Sequence, residues 1–430
     1  MKNLSKFQLI LTGIFAVFIL VGVFIFSFSR SDNQVKSSVI VWGTISSSAF
    51  GNLLTATPLG RDNTLSISYI EKNASNFSTD FIEALAAGRG PDLVLAPHEV
   101  ILQNRNLFFG IPFESFSERA YKDSYIEEGE LFIFSDGIIA LPIAVDPLVM
   151  YWNRDLFTNA GVSSPPRLWA EFYNLSQILT KKDGALNITQ SIAPLGEYRN
   201  IKNAKELISA LIMQAGNPIT QRTQTGSKTV LKENIYNKEA PPTQTALTFY
   251  TEFSNPAKPF YSWNRSLPNS QDFFTAGDSA IYFGFASERE TLRLKNPNLN
   301  FDTALLPQAQ SGERSTTFGR LYALAIPARS KNIAAAFKVA FTLSDQGSGH
   351  LASHLGIAPA KRSLLASRPA NNPHASVSYE SALWSSGWID PNWQESSTVF
   401  QSMVESITGG RARIDQAIST AHQELEALFR

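Results

Sequence analysis

The chain has 430 residues, more than a single hydrophobic core usually holds, so two domains are expected. Hydrophobic residues make up 43% and charged residues 17%, which excludes a disordered chain. Basic and acidic residues both number 37, so there is no excess of positive charge to hold a nucleic acid. Cysteine is absent, which excludes disulfides, thiolate metal sites and a cysteine nucleophile.

An uncharged apolar run, Phe7 to Phe28, follows two lysines at the amino terminus. As a helix it would be about 33 Å long, enough to span a hydrocarbon core of about 30 Å. Only Arg30 follows the run, and this charge difference favours a body outside the cell membrane. A cleaved signal peptide is the alternative, but the run is long and no small-residue cleavage site follows it. We therefore expect residues 1–30 to be a single-pass anchor, 31–37 a linker and the body extracytoplasmic.

The body begins with three short apolar runs that predict strands, Val39–Trp42, Leu65–Ile70 and Asp92–Ala96. Between the second and third runs, Thr79 can cap a helix that ends at Gly88. Alternating strands and helices indicate a parallel sheet with helices on both faces. Such sheets bind ligands beyond the carboxyl ends of their strands.

The rest of the body contains four further patterns. The apolar stretch Ile138–Phe157 contains two prolines and predicts a segment that crosses between lobes. Pro165–Phe172 predicts a helix start, and residues 217–245 are polar and predict a surface excursion. Near the carboxyl end, Val399–Ile407 and Ile414–Leu428 have helical periodicity, which is typical of core-facing helices.

Five segments in this order resemble motifs of one protein family: AAGRGPDLVLAPHE (86–99), IALPIAVDPLVMYWNRDLFTNAG (139–161), PPRLWAEF (165–172), FFTAGDSAIYFGF (273–285) and RSKNIAAAFKVAFTLS (329–344). The family is family 1 of the extracellular solute-binding proteins, the maltose-binding-protein-like proteins that serve ABC importers. The resemblance implies an α/β, two-lobed periplasmic-binding-protein-like fold of type II, here preceded by the transmembrane helix. It also implies that a solute is trapped when the lobes close about a hinge.

The resemblance gives limits for the lobes. The first lobe would hold residues 38–143 and 301–341, the hinge 144–146 and 342–344, and the second lobe 147–300 and 345–430. The implied ligand is a small solute, a mono- or oligosaccharide, and the implied partners are the permease subunits of an ABC transporter. The resemblance implies neither a cofactor nor a metal.

A sugar offers hydroxyl groups at its rim and apolar C–H faces, so its site needs carboxylates beside aromatic rings. The resemblance puts Asp146 and Glu99 where family members bind hydroxyl groups. The alternative for Asp146, which precedes Pro147, is a turn at the hinge. A stacking tryptophan of the family corresponds to Ala96 here, so one aromatic platform is missing.

Five more residues are candidates for ligand contacts. Phe285 lies at or next to another aromatic platform of the family, and Trp384 and Trp388 lie, together with Trp393, in the region that supplies the last one. Trp42 and Gly43 end the first predicted strand, and the loop after that strand opens into the cleft. The alternative for each tryptophan is a place in the core or at its rim.

Two other functions compete with solute delivery. A membrane-anchored sensor would have the same fold. A surface hydrolase would use Gly277–Ser279, which resembles a serine-esterase tripeptide, but no histidine partner is recognisable nearby. His350 and His354 have helical spacing without the adjacent glutamate of zinc proteases, which favours a solvated helix face. We therefore expect no enzyme activity.

Overall fold

The computed structural model describes residues 37–223, 226–310 and 314–429. The strands of this part of the chain are β1 (Ser37–Gly43), β2 (Leu65–Glu71), β3 (Leu93–Pro97), β4 (Ile133–Phe134), β5 (Gly137–Ile138), β6 (Leu141–Asn153), β7 (Lys181–Lys182), β8 (Ile188–Gln190), β9 (Thr220–Arg222), β10 (Ser227–Thr229), β11 (Ile281–Phe285), β12 (Phe301–Ala304), β13 (Thr317–Ala325), β14 (Ala358–Pro359) and β15 (Ser385–Ser386).

The α-helices are α1 (Ser47–Thr55), α2 (Phe77–Ala86), α3 (His98–Gln103), α4 (Glu118–Ser124), α5 (Arg154–Asn159), α6 (Glu171–Leu179), α7 (Ala204–Gln214), α8 (Pro242–Glu252), α9 (Ser270–Ala276), α10 (Glu288–Lys295), α11 (Ile333–Thr342), α12 (Ser348–Leu355), α13 (Arg362–Leu365), α14 (Pro373–Trp384), α15 (Trp393–Thr408) and α16 (Ile414–Ala427). A short 3-10 helix, Glu127–Phe132, precedes β4.

The first three strands form the predicted parallel arrangement. β1 lies between β2 and β3 and pairs with both in parallel. The sheet continues in the order β11-β6-β13-β3-β1-β2, with β13 antiparallel to β3 and to β6. The α/β prediction is therefore confirmed. Parallel pairing brings the carboxyl ends of β1 and β3 to one edge of the sheet, next to the segments that begin at Gly43 and His98.

The long apolar segment forms β6, a strand of 13 residues that runs from one part of the sheet to the other. Its first half pairs with β13, and its second half pairs with β11 and β12. All of its side chains except Trp152 are buried. Because both faces are covered, the strand has a continuous apolar sequence without alternation.

Two groups of buried side chains form the interior. The first core includes Val39, Val41 and Leu95 of the parallel strands and extends along the chain to Ala382. The second core begins at Leu148 and includes the apolar faces of α6, α7, α15 and α16. The limits given above for the two lobes stay a prediction, because a packed core is not itself a domain boundary.

Several predicted boundaries change in the structure. Helix α2 begins at Phe77, so Thr79 lies in its first turn and does not cap it. Helix α6 begins at Glu171, later than Pro165, and the Glu171 side chain accepts hydrogen bonds from two preceding backbone N–H groups. The polar stretch 217–245 contains the β9–β10 hairpin and the start of α8. The two predicted helices near the carboxyl end are confirmed as α15 and α16.

The predicted anchor, residues 1–30, lies outside the described residues and stays a prediction. Among the residues that the structure does describe, no helix combines the length and the apolar character that crossing a membrane requires.

Candidate functional site

Glu99 lies where the sequence predicts a ligand contact, in the first turn of α3 beyond the end of β3. Its Oε1 is 3.8 Å from Nε of Arg320, while its Oε2 is buried and has no hydrogen-bond partner. Burial opposes the charge of the Glu99 carboxyl, but the nearby guanidinium of Arg320 helps to hold its pKa below the usual value. The site therefore contains an ionised oxygen that lacks a donor.

His98 cannot supply that donor in this arrangement. Its Nδ1 is 3.3 Å from Oε2 of Glu99, but the same nitrogen accepts a hydrogen bond of 3.2 Å from the backbone N–H of Leu321. A ring nitrogen that accepts this bond carries no proton. Burial lowers the pKa of His98, which agrees with a neutral ring.

Arg320 connects the two sides of the cleft. It lies on β13, and its guanidinium is 4.0 Å from Oε1 of Glu206 as well as near Glu99. Glu99 begins a helix after β3, whereas Glu206 lies on α7, which packs in the second core. The carboxylates raise the pKa of Arg320 further above its usual range, although burial opposes this. One cation thus pairs with carboxylates from both sides.

Asp146 is the residue of β6 that lies opposite Arg320 in the sheet. Its carboxylate accepts two hydrogen bonds from Ser287, one from the backbone N–H at 3.0 Å and one from Oγ at 2.6 Å. Burial raises the pKa of Asp146 to about 6, while Ser287 and Arg320 oppose the increase. Both of its oxygens therefore already have a donor in this arrangement.

The predicted aromatic residues are mostly enclosed. Phe285 is 1% exposed and lies beneath the guanidinium of Arg320, which is 3.9 Å from the ring centre. Trp388 is buried and stacks on Phe400, and Trp384 ends α14 in a half-buried position. The role of these rings in ligand binding stays a prediction.

Trp42 and Gly43 lie at the predicted place, the carboxyl end of β1. Trp42 is buried, its ring packs edge-on against Phe77, and the Lys72 ammonium lies 4.1 Å from the ring centre. A Cβ atom at Gly43 would lie 2.5 Å from the hydroxyl of Tyr69, so glycine leaves room for the Tyr69 side chain to lie across β1. Here too the ligand role stays a prediction.

Lys205 and Asp390 belong to the second side of the cleft and were not predicted from the sequence. Their side chains are buried and form an ion pair of 2.8 Å, and Ser396 hydrogen bonds to both. Asp390 keeps the pKa of Lys205 above its usual value, although burial opposes this. The pair is 185 residues apart in the chain, so no local pattern could indicate it.

A cavity of about 250 Å³ adjoins this pair and is lined by Tyr198, Asn203, Lys205, Glu206, Trp393 and Gln401. Hydroxyl, amide, charged and aromatic groups surround it, which is the combination that a sugar requires. Asn392 caps α15 and so orients Trp393, the first residue of that helix, in the lining of the cavity.

The two sides also touch through an exposed hydrogen bond. Nε2 of Gln394, on α15, donates a hydrogen bond of 3.0 Å to the carbonyl oxygen of Ser75, which lies between β2 and α2. Glu99, Arg320 and Glu206 connect the same two sides and are less exposed. The arrangement can therefore enclose a small ligand that contacts both sides.

The residues of the competing hydrolase prediction lie elsewhere. Ser279 is fully buried, and its hydroxyl donates to the carbonyl oxygen of Ile281. His350 and His354 are exposed on α12. Within the described ranges, no group of three or more His, Asp or Glu side chains could hold a metal ion.

Comparisons with known proteins agree with this architecture. The diacetylchitobiose-binding protein DasA of Streptomyces coelicolor is 24% identical over 243 residues, which cover 56% of this chain and 53% of that protein. A cyclo/maltodextrin-binding protein in complex with maltotetraose has a TM-score of 0.73 at 14% identity, over 93% of this chain and 98% of that one. CpMnBP1 with mannotriose bound has a TM-score of 0.67 at 20% identity, and the match covers 91% of this chain and 100% of that one.

These similar structures confirm the two-lobed α/β fold. The family model described as bacterial extracellular solute-binding protein matches residues 62–345, which is more than half of the chain. The chain therefore belongs to the bacterial extracellular solute-binding proteins.

Proposed function

We propose that this protein captures a carbohydrate-like ligand between its two lobes and delivers it to an ABC importer. Membership of the solute-binding family supports the capture of a solute. Two similar structures hold mannotriose and maltotetraose, and a similar Streptomyces protein is named for diacetylchitobiose. These names favour a neutral oligosaccharide as the ligand.

The observation that carries the proposal is the unpartnered Oε2 atom of Glu99. A buried and ionised oxygen without a donor is unfavourable, and a hydroxyl group of a ligand would satisfy it. Hydrogen bonds to a charged group contribute about 1.5–3 kcal/mol. A sugar hydroxyl group fits this position better than a ligand carboxylate or phosphate, which has no proton to donate.

Charge around the cleft favours a neutral ligand as well. Glu99 and Glu206 share Arg320, and Lys205 pairs with Asp390. Each cation therefore has at least one carboxylate partner already, and an added anion would compete with these carboxylates. A neutral ligand can accept from Arg320 and donate to Glu99 without disturbing the pairs.

A thermal unfolding screen of the full chain in detergent tests the proposal. We expect mannotriose, maltotetraose or diacetylchitobiose to raise the Tm, because a ligand at a hundred times its Kd stabilises by about 2.7 kcal/mol. Glu99→Gln should lose the shift, while Glu118→Gln, an exposed carboxylate on α4, should keep it. A shift with an amino acid or a phosphorylated polyol, and none with any glycan, would contradict the proposal.

Delivery requires that the body stand outside the cell near a permease. We propose that residues 1–30 anchor the chain in the cell membrane and that the partners are the permease subunits of an ABC transporter. Co-purification of the full chain with ABC permease subunits from membranes of its own organism tests this partnership. We expect no turnover, so glycans recovered after prolonged incubation should be unchanged in length.

A further inference from the structure

Glu128 is a buried carboxyl group that has no partner. It lies in the short helix Glu127–Phe132 and is 4% exposed, and neither of its carboxyl oxygens has a hydrogen-bond partner. An ionised carboxylate in such a place would lose its hydration without compensation. Burial, together with the negative charge of Glu99, raises the pKa of Glu128 well above its usual value. Burial therefore favours the protonated, neutral form of Glu128 in this arrangement.

The carboxyl group lies where segments of the two cores meet. Its Oε2 packs so closely on the backbone of Gly319 that a Cβ atom there would overlap it. A Cβ atom at Gly387 would lie 2.9 Å from Oε1 of Glu128. Gly387 leads directly to Trp388 of the second core, whereas the helix of Glu128 ends at Phe132 of the first core. Glycine at these two positions leaves room for the carboxyl group as it lies here, and a larger residue would force the Glu128 side chain to shift.

Among the residues that the structure describes, no cation forms an ion pair with Glu128. The neutral His98 adjoins the same glycine, because its Nε2 would also lie 2.9 Å from a Cβ atom at Gly387. The charged groups of the elements packed around the helix have other partners: Arg320 with Glu99, Arg314 with Glu127, Lys122 with Glu130, Asp146 with Ser287, and Arg222 with the carbonyl oxygens of Glu130, Leu131 and Ile133.

We propose that Glu128 is a proton-controlled contact between the lobes, which packs against Gly387 when neutral and separates from it when ionised. A cavity of about 270 Å³ is lined by Glu128 and Gly387 together with Leu131, Arg222 and Ser386, among others, although both carboxyl oxygens of Glu128 are buried. Movement of the Gly387 segment would open these carboxyl oxygens to the cavity and to water. The inference rests on the proposed movement of the lobes and not on the identity of the ligand.

The direction of the pH effect follows from the two states of the carboxyl group. Because the packed state holds the proton more tightly than the hydrated state, low pH favours the packed state. The free-energy advantage of the packed state is complete below the pKa of the hydrated carboxyl. It is lost as the pH rises through the raised pKa of the packed carboxyl. Between these limits, the ratio of packed to separated molecules changes by up to about tenfold per pH unit.

Distance measurement between two spin labels tests the inference on the full chain. The sequence has no cysteine, so Thr79→Cys and Thr398→Cys would provide the only two thiols. Both positions are exposed and lie near the contact of Gln394 with Ser75, so a short label distance reports the arrangement seen here. We expect the ratio of short to long distances to fall at least threefold between pH 5 and pH 8.

Matched variants separate a switch from a merely structural role. Glu128→Gln, which stays neutral, should keep one ratio at both pH values, and Glu130→Gln on the same helix should behave like the parent chain. Gly387→Ala crowds His98 and Leu131 as well as Oε1 of Glu128, and it should favour the long distance at both pH values. If Glu128→Gln does not fold, Glu128→Met, which is also neutral, takes its place. A pH response that persists in Glu128→Gln, or its absence from the parent chain, would overturn the inference.

The same labels distinguish this inference from the proposed function. If the ratio of short to long distances is the same at both pH values but changes when mannotriose or maltotetraose is added, the role of Glu128 is overturned and sugar capture is not affected. A ratio that responds to neither would count against Glu128 and against closure of the lobes together.

Discussion

The guanidinium of Arg320 covers the ring of Phe285 at 3.9 Å, so the floor of the cleft presents a cation and not an aromatic face. The same guanidinium pairs with Glu99 and Glu206 from opposite sides. A ligand that enters the cleft therefore meets fixed donors at its floor, and an aromatic contact has to come from the wall near Trp393.

Removal of Arg320 should destabilise the protein as well as weaken binding. Arg320→Met leaves the buried Glu99 carboxylate without its cation, and breaking a buried pair costs about 3–5 kcal/mol. Because the Arg320 side chain is 30% exposed, we expect a loss at the lower end of this range. Urea unfolding of the full chain should show an unfolding free energy lower by about 3 kcal/mol. Arg413→Met removes a fully exposed pair with Asp415 and should leave the unfolding free energy nearly unchanged. Equal losses in both variants would contradict this assignment.

Asp146 should give stability a characteristic pH dependence. Its pKa is about 6 in the folded protein against an ordinary value of 3.8, so its contribution is complete below pH 3.8 and is lost as the pH rises through 6. The loss amounts to about 3 kcal/mol at about 1.4 kcal/mol per pKa unit. Asp146→Asn should remove this fall from the curve of unfolding free energy against pH.

The control for that experiment is Asp123→Asn, because Asp123 lies on the surface of α4. Its curve should run parallel to that of the parent chain between pH 4 and pH 7. If the Asp146→Asn curve also runs parallel, burial does not hold a proton on Asp146. Asp146→Asn should in addition lose one of the two hydrogen bonds from Ser287, at a cost of about 1 kcal/mol.

The buried pair of Lys205 and Asp390 offers a double-mutant cycle. Lys205→Met leaves Asp390 buried and unpaired, and we expect a loss of about 3–5 kcal/mol in unfolding free energy. Asp390→Asn should cost a similar amount. The double variant should be more stable than the sum of the two losses predicts, because no isolated charge remains. Additive losses would show that the two side chains act independently.

The amino-terminal prediction concerns residues that the structure does not describe. We expect the mature protein to keep residues 1–30 and to stay with membranes after a carbonate wash. The reason is the uncharged run from Phe7 to Phe28, which no small-residue cleavage site follows. Amino-terminal sequencing checks this, and a mature chain that begins near Ser31 would contradict it.

The main architecture could be predicted because its signals are local. The apolar runs of β1 and β3, and the continuous apolar run of β6, reflect strands that pack on both faces. Helix starts were less predictable. A helix can begin without its side-chain cap, as α2 does at Phe77, or draw on a side chain within it, as Glu171 does in α6.

The candidate site could be predicted only in part, for a physical reason. Glu99 follows a strand whose carboxyl end faces the cleft, so its position along the chain indicated its place. Arg320 and Lys205 contact partners that the sheet and the second core bring together from distant parts of the chain. A charged residue in a strand or a helix gives no local sign of such a partner.

The spread of the first core along the chain, from Val39 to Ala382, has a consequence for biosynthesis. A ribosome has to synthesise nearly nine-tenths of the protein before the last side chains of this core emerge, and by then most of the second core is also available. The amino-terminal half therefore cannot mature as an independent folding unit ahead of the rest. Nascent chains of this protein should remain sensitive to protease until Ala382 has left the ribosomal exit tunnel.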